Sequence, residues 1–398
     1  MNKFKKIAVC TVGTAVTLLS TVPLFAAAFH DYDVNQDGNV TLADYSYITA
    51  RLNGYKTSSY ENLDVNNNGI FSIVDGNIVY DYAWNGPRST PVSVQNFGNL
   101  LAGNIETLSN SDSTTYWKHD CTNPDNFEIC DEYTLTLPGQ TETAATASIQ
   151  PPTSMAVDNG ETAIVKIVSE LADANGDHAL IGTGTIVGDN IVATAAHCVY
   201  NFKTGLFRDI AIQIIDTGNI VIETLYPRYI HIEKDYGMKY EEHDTEENDY
   251  QDDYALLYFE DDLSDYGKFE IGLGLDSFVN DTTGTKRIKV SGFPEQCNWL
   301  PSGSLTGPRY ISEGSIMYME KNPSNLIFYN AITYNGDSGA PAYVDETYTF
   351  DGVAYSCKTM IGIHVGGNQA VELNNNYGWS CPITTDKLKF YRSNPYIS

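Results

Sequence analysis

From about residue 160 onward, short apolar runs alternate with turns rich in Gly, Asn and Asp. The runs read TAIVKIVS, IGTGTIVGDNIVATAA, IAIQII, YALLYF, RIKVSGF, LIFYNAIT and MIGIHVGG. β-branched and aromatic residues in such runs predict the strands of an all-β barrel or sandwich. A helix is predicted here only in the last stretch, TTDKLKFYRSN. The N-terminal part has a different period: Tyr45, Ile48 and Leu52, then Ile78, Val79 and Tyr82, fall at helical spacing, each set following an oxygen-rich stretch.

Between these regions the pattern fades. GPRSTPVSVQ and PGQTETAATASIQPPTS carry Pro, Thr, Ser and Ala with little periodicity and read as linker. The intervening YWKHDCTNPDNFEICDEYTL has two cysteines and several aromatics. It fits a small disulfide-tied insert, part of a propeptide, or an extension wrapping the next domain. The resulting division is 1–28, 29–85, 86–150 and 151–398.

Residues 1–28 have the order of a secretory signal peptide: Lys3, Lys5 and Lys6, an apolar run from Ile7 to Leu19, then Ala26, Ala27 and Ala28. Cleavage is expected after Ala28. The run is short for a membrane anchor, and no other stretch approaches the ~20 apolar residues of a span, so a secreted, extracellular protein without a membrane span is expected. Of the 7 cysteines, removal of Cys10 leaves an even set in an oxidising compartment. Local bridges, Cys121 with Cys130 and Cys357 with Cys381, are expected. The formal net charge of -28 becomes more negative once the three signal lysines are lost. Such acidity argues against nucleic acid, which is held by clusters of Lys and Arg.

DVNQDGNVTLAD (33–44) and DVNNNGIFSIVD (64–75) match position by position. Each places oxygen side chains at loop positions 1, 3, 5, 9 and 12: Asp33, Asn35, Asp37, Thr41 and Asp44, then Asp64, Asn66, Asn68, Ser72 and Asp75. Asn39 and Ile70 at position 7 offer backbone carbonyls, and Gly38 and Gly69 stand where a loop around a hard cation turns sharply. Two calcium ions are the expected cofactors, with none for catalysis. Loop followed by helix, twice, resembles the dockerin module of cellulosome-type complexes. That resemblance implies a small all-α domain, a cohesin domain of a scaffoldin as partner, and a place in a cell-surface or free cellulosome-type complex. Leu42, Ala43, Ile73 and Val74 stand where dockerins vary to choose their cohesin.

VATAAHCVY contains His197, DDYALLYF contains Asp253, and YNGDSGAP contains Ser338. Acyl transfer by a serine needs a base beside its Oγ and an acid that orients the base. TAAHC, DYALL and GDSGAP in this order resemble the chymotrypsin-like serine peptidases over residues 160–395. The resemblance implies a double six-stranded antiparallel β-barrel and proteins or peptides as substrates. It makes His197 the base, Asp253 its orienting acid and Ser338 the nucleophile, with the N–H groups of Gly336 and Ser338 as the oxyanion hole. Gly182 stands where animal trypsins carry the cysteine that pairs with the one after the histidine, so Cys198 pairs elsewhere, for instance with Cys297, or stays free.

TAAHCVYNFKTGLF, VSGFPEQ and GIHVGG are similar to stretches of the V8-like glutamyl endopeptidases. A trypsin-type pocket acid would fall at Ile332, flanked by Ala331 and Thr333, so a basic P1 side chain finds no counter-charge. The subfamily resemblance makes Thr333 and His364 the donors for a P1 carboxylate, which implies cleavage after Glu, with Asp as the second acid. Two rival readings are a catalytically inactive binding protein of peptidase fold, displayed by the dockerin, and a serine peptidase with an apolar or small P1 preference.

Overall fold

The computed structural model describes residues 32–35, 40–53, 63–85, 111–122, 129–138, 156–158, 160–173, 176–201, 205–236, 250–279, 285–294, 308–320, 325–351, 353–367 and 377–392. The signal-like segment, Asp37, Asn39 and Cys297 lie outside them. The chain forms two compact units: residues 1–67, 73–106 and 348–355 in one, 68–72, 107–347 and 356–398 in the other.

In the first unit, helix α1 (Leu42–Leu52) opens on a reciprocal cap at Thr41. The Thr41 hydroxyl accepts from the Ala43 N–H at 3.1 Å, and the Asp44 carboxylate accepts from the Thr41 N–H at 2.8 Å. Asp44 also accepts from the Asn35 N–H at 3.1 Å, so one carboxylate starts the helix and closes the preceding loop. In the second repeat Asp75, in the first turn of α2 (Ile73–Asn85), accepts from the Val65 N–H at 3.0 Å. The helices pack through Ile48, Leu52 and Val79. Gly76 permits their close approach, because a Cβ there would lie 3.3 Å from Ile48 Cγ2.

The second unit is built from strands that pair antiparallel, apart from one short parallel pairing of Glu270–Ile271 with Thr359 and Met360. A hairpin of β1 (Ser111–Asp120) and β2 (Ile129–Pro138) is followed by the two-residue β3 (Ala156–Val157). Then come β4 (Ile164–Asp173), β5 (Gly176–Gly188), β6 (Ile191–Thr194), β7 (Arg208–Ile215), β8 (Val221–Leu225), β9 (Tyr229–Glu233) and β10 (Ala255–Tyr258). Their order in the sheet is β8-β7-β4-β5-β6-β10-β9-β1-β2. Strand β10 lies between β6 and β9 with every residue buried, which is why ALLY reads as a continuous apolar run.

The second sheet holds β11 (Glu270–Ile271), β12 (Arg287–Gly292), β13 (Tyr310–Glu320), β14 (Leu326–Tyr329), β15 (Pro341–Phe350), β16 (Val353–Gly367) and β17 (Gly378–Pro382). Its path is β11-β16-β15-β12-β13-β14-β17, and a β16–β17 pairing closes six of these strands into a ring. Ile288, Val290, Ile316, Ile327, Ala342 and Ile361 fill that ring. The C-terminal helix α3 (Thr385–Arg392) ends the described chain.

The fold is therefore mostly β and chymotrypsin-like, with two corrections. The first sheet has nine strands rather than six, two of them the hairpin that residues 111–138 add along β9. Cys357 and Cys381 hold free thiols. Cys381 sits opposite Ile363 in the β16–β17 ladder, six positions along β16 from Cys357 and so roughly 20 Å away, beyond disulfide reach. Its Sγ donates instead to the Gln251 carbonyl at 2.8 Å. Cys198 also keeps a free thiol, and the side chain of Cys130 is not among those described. No helix among the described residues is long and apolar enough to cross a membrane.

Candidate active site

His197 lies on a short 3₁₀ turn directly after β6, and Asp253 on the turn leading into β10. Pairing of β6 with β10 brings the two turns together. One Asp253 oxygen accepts from the His197 backbone N–H at 2.9 Å, and the other lies 2.5 Å from Nδ1. Two contacts to one carboxylate fix both the backbone and the ring of the histidine. Burial disfavours a charged imidazole, but the Asp253 carboxylate outweighs it and raises His197 well above its ordinary pKa. The Asp253 side chain is buried, whereas that of His197 is 36% exposed, leaving its far edge open to a reactant.

Ser338 sits between two glycines with positive φ, Gly336 at 91° and Gly339 at 85°. Gly339 has a second reason to be glycine: a Cβ there would lie 2.0 Å from the Thr183 carbonyl oxygen. The loop is pinned from three sides. The Ser338 carbonyl accepts from the Thr183 N–H at 2.8 Å and from the Cys198 thiol at 3.4 Å. Gly339 donates to the His364 carbonyl, and His364 donates to that of Ala340, both at 2.8 Å. Gly182 gives the Cys198 thiol its place, since a Cβ there would be 2.7 Å from the sulfur. Ser338 is thus tied to the residue that follows His197 and to the strand that carries His364. Among the described residues, the backbone N–H groups of Gly336 and Ser338 donate to no backbone carbonyl.

Thr333 and His364 are both buried and face a common space beside Gly378. A Cβ on Gly378 would lie 3.0 Å from Tyr329 Cε2, 3.1 Å from His364 Cε1 and 3.2 Å from Thr333 Oγ1. The register of β16 shifts between His364 and Gly366, a bulge that re-aims the histidine relative to the regular ladder. Burial, and then the charge of His197, push His364 down to about 3, so the free protein holds a neutral imidazole there.

Two residues in this region escaped the sequence reading. The Tyr329 hydroxyl contacts His364 Nδ1, yet an aromatic in the strand LIFY reads simply as core. Asp337 is buried, with one oxygen accepting from the Tyr334 N–H at 2.9 Å and the other without a hydrogen-bond partner. Burial raises its pKa to about 8. Its place beside Ser338 in GDSG was the available signal.

Residues 182–349 match the model of the trypsin-like peptidase domain. Among solved structures the chain is similar to a Glu endopeptidase in complex with MPD, at 17% identity and a TM-score of 0.40, covering 62% of this chain and 98% of that one. It is also similar to a thermostable serine protease, AL20, from an extremophilic microorganism, at 15% identity and a TM-score of 0.39, covering 59% and 97%. No curated protein matches the chain. Within the matched residues lie Thr183, His197, Asp253, Thr333 and Ser338, while His364 and Gly378 fall past them.

In the loop-and-helix unit, Asp44 and Asp75 are fully buried and Asp33 nearly so. Buried carboxylates drawn onto the amides of their own loops fit a hard cation bound by oxygen. Among the described residues no three His, Cys, Asp or Glu side chains cluster; apart from Asp37 and Asp64, the other loop donors are amides, hydroxyls and carbonyls. Of the four positions expected to face a partner, Val74 is buried and Leu42, Ala43 and Ile73 are half-buried.

Proposed function

We infer that the protein is a secreted serine endopeptidase that cleaves after Glu, with Asp as the second acid. The double contact of Asp253 with His197, beside the anchored Ser338 loop, carries the reading. Ser338 Oγ attacks the scissile carbonyl carbon and passes its proton to Nε2 of His197, while Asp253 stabilises the imidazolium. The carbonyl oxygen becomes an oxyanion at the N–H groups of Gly336 and Ser338, each donor supplying ~3 kcal/mol. His197 then protonates the departing amine, and water hydrolyses the acyl-enzyme by the reverse proton path. Thr333 and His364 receive the P1 carboxylate as hydrogen-bond donors.

A second reading, a preference for apolar or small P1 side chains, is favoured by the neutral state of His364. Digestion of a denatured protein mixture, with mass spectrometry of the new C-termini, decides: an excess of Glu supports the first reading, and apolar or small residues in its place the second. No cleavage at all leaves an inactive peptidase-fold binding protein.

Residues 29–85 act as a dockerin that holds the enzyme on a scaffold through a cohesin domain. Asp33, Asn35, Asp37, Asn39, Thr41 and Asp44 hold one calcium ion, and Asp64, Asn66, Asn68, Ile70, Ser72 and Asp75 the second. Calcium, when bound, offsets the loop carboxylates and fixes where the helices begin.

A further inference from the structure

The hairpin β1–β2 lies upstream of the region in which the peptidase motifs occur, yet it is built into the sheet that carries two of them. Strand β1 pairs with β9 over five consecutive residues, from Asp120 opposite Tyr229 to Tyr116 opposite Glu233. The other edge of β9 pairs with β10, which begins two residues after Asp253. Asp120 forms an ion pair with Arg228, and the Cys121 N–H donates to the Arg228 carbonyl at 3.2 Å.

The decisive side chain is Tyr116, which is fully buried. Its hydroxyl lies 3.0 Å from that of Tyr254, and its ring stacks on Phe390 of α3 at 4.3 Å. Tyr254 is fully buried as well, with the Lys387 ammonium 4.5 Å from its ring centre. Tyr254 follows Asp253 in the chain, and its N–H closes a tight turn onto the Asp252 carbonyl at 2.9 Å. A shift of Tyr254 therefore moves the carboxylate that orients His197. The hairpin and α3 together wall in this tyrosine.

We propose that the hairpin 111–138 is a permanent part of the catalytic unit, in which Tyr116 is a positioning residue that sets Asp253 through Tyr254. It follows that a cut between β2 and β3 leaves the N-terminal part of the chain bound to the peptidase by strand pairing. Two measurements on the full chain test this, the first resting on the serine peptidase reading and the second independent of it.

In the first, active sites are counted by titration with a fluorophosphonate, and kcat per titrated site is measured on a peptide that the wild type cleaves. Tyr116→Ala should lower kcat roughly tenfold to a hundredfold, the scale of a displaced catalytic group, with KM little changed. Tyr116→Phe, which keeps the stacked ring, should recover most of that loss. Wild-type kcat per site in Tyr116→Ala overturns the proposal. In the second, a sequence-specific cleavage site is inserted within residues 139–155 and cut after folding. The two pieces should elute together on gel filtration. Separate elution, with or without activity, overturns the proposal even if Tyr116→Ala fails to fold or the wild type cleaves nothing.

Discussion

The Tyr329 hydroxyl lies 2.7 Å from Nδ1 of His364, with both side chains buried in the second barrel. Burial keeps that hydroxyl protonated far above its ordinary range. When it donates to Nδ1, the imidazole proton is placed on Nε2, the tautomer able to donate to a P1 carboxylate. Tyr329→Phe leaves a buried ring nitrogen without this partner, a loss of about 1–3 kcal/mol. The expected result is a drop in kcat/KM of roughly fivefold to a hundredfold on a Glu peptide. A matched peptide with Gln at P1 should lose far less. Equal losses on the two peptides make the pair a structural contact only, and the same comparison applies to His364→Gln.

Ser338→Ala should abolish cleavage while leaving circular dichroism unchanged, because the hydroxyl belongs to a half-buried residue whose backbone contacts survive. His197→Ala should cost about as much, and the double variant no more than either, since residues that act as a unit are not additive. Residual rates near that of wild type in either single variant reject the assignment of both.

How far the sequence speaks can be judged from these residues. DYALLYF and MIGIHVGG are strands in the structure as their apolar runs require, and His197 and Asp253 meet because β6 and β10 pair. Tyr329 was illegible because alternation reports which face is buried, not which polar atom a buried ring meets across the barrel. SDSTTYWKHD, the strand β1, has too few apolar positions to show a period of two. Its order comes from pairing with β9 and from the buried ring of Tyr116, both long-range contacts. The loop repeat is the opposite case: the positions it marks as candidate ligands are local in the sequence.

One interaction gives His197 opposite pH dependences in activity and stability. Its folded pKa is raised well above the ordinary ~6.5 by the Asp253 carboxylate. The catalytic base must be neutral, so kcat/KM should rise with pH along an acid limb whose midpoint lies above 6.5. The stabilising contact is between charged partners, present below the unfolded pKa and lost as pH rises through the folded one. Asp253→Asn should move the acid limb down while lowering kcat. A limb centred at or below 6.5 in wild type contradicts the assigned pair.

Asp337 should act in the other direction from an ordinary carboxylate. Its folded pKa, raised to about 8 by burial, lies above the ~3.9 of an unfolded aspartate. Between these values the folded state binds a proton that the unfolded state has released, so this group's contribution to stability falls as pH rises from about 4 to 8. Asp337→Asn removes the titration and keeps the shape. The thermal midpoint of the variant should match wild type near pH 4 and exceed it near pH 8. An unchanged difference across that range shows that Asp337 does not titrate with folding.

The two oxygen-rich loops make the last prediction. Asp44 and Asp75 are fully buried, and burying a carboxylate carries a large desolvation cost unless it is hydrogen-bonded and charge-compensated. Backbone N–H groups of Asn35, Thr41 and Val65 provide part of that compensation, and a dication at each loop would supply the rest. Chelation of the full chain, carried out on Ser338→Ala so that self-digestion cannot intervene, should therefore melt α1 and α2. The readouts are a loss of helical circular dichroism and faster cleavage within residues 29–85 by an added protease. Both should reverse on adding calcium, since metal binding of this kind is coupled to folding. A helical signal and a cleavage rate indifferent to chelator would show that the carboxylates are satisfied by the protein alone, and the two-ion assignment would fall while the peptidase assignment stood.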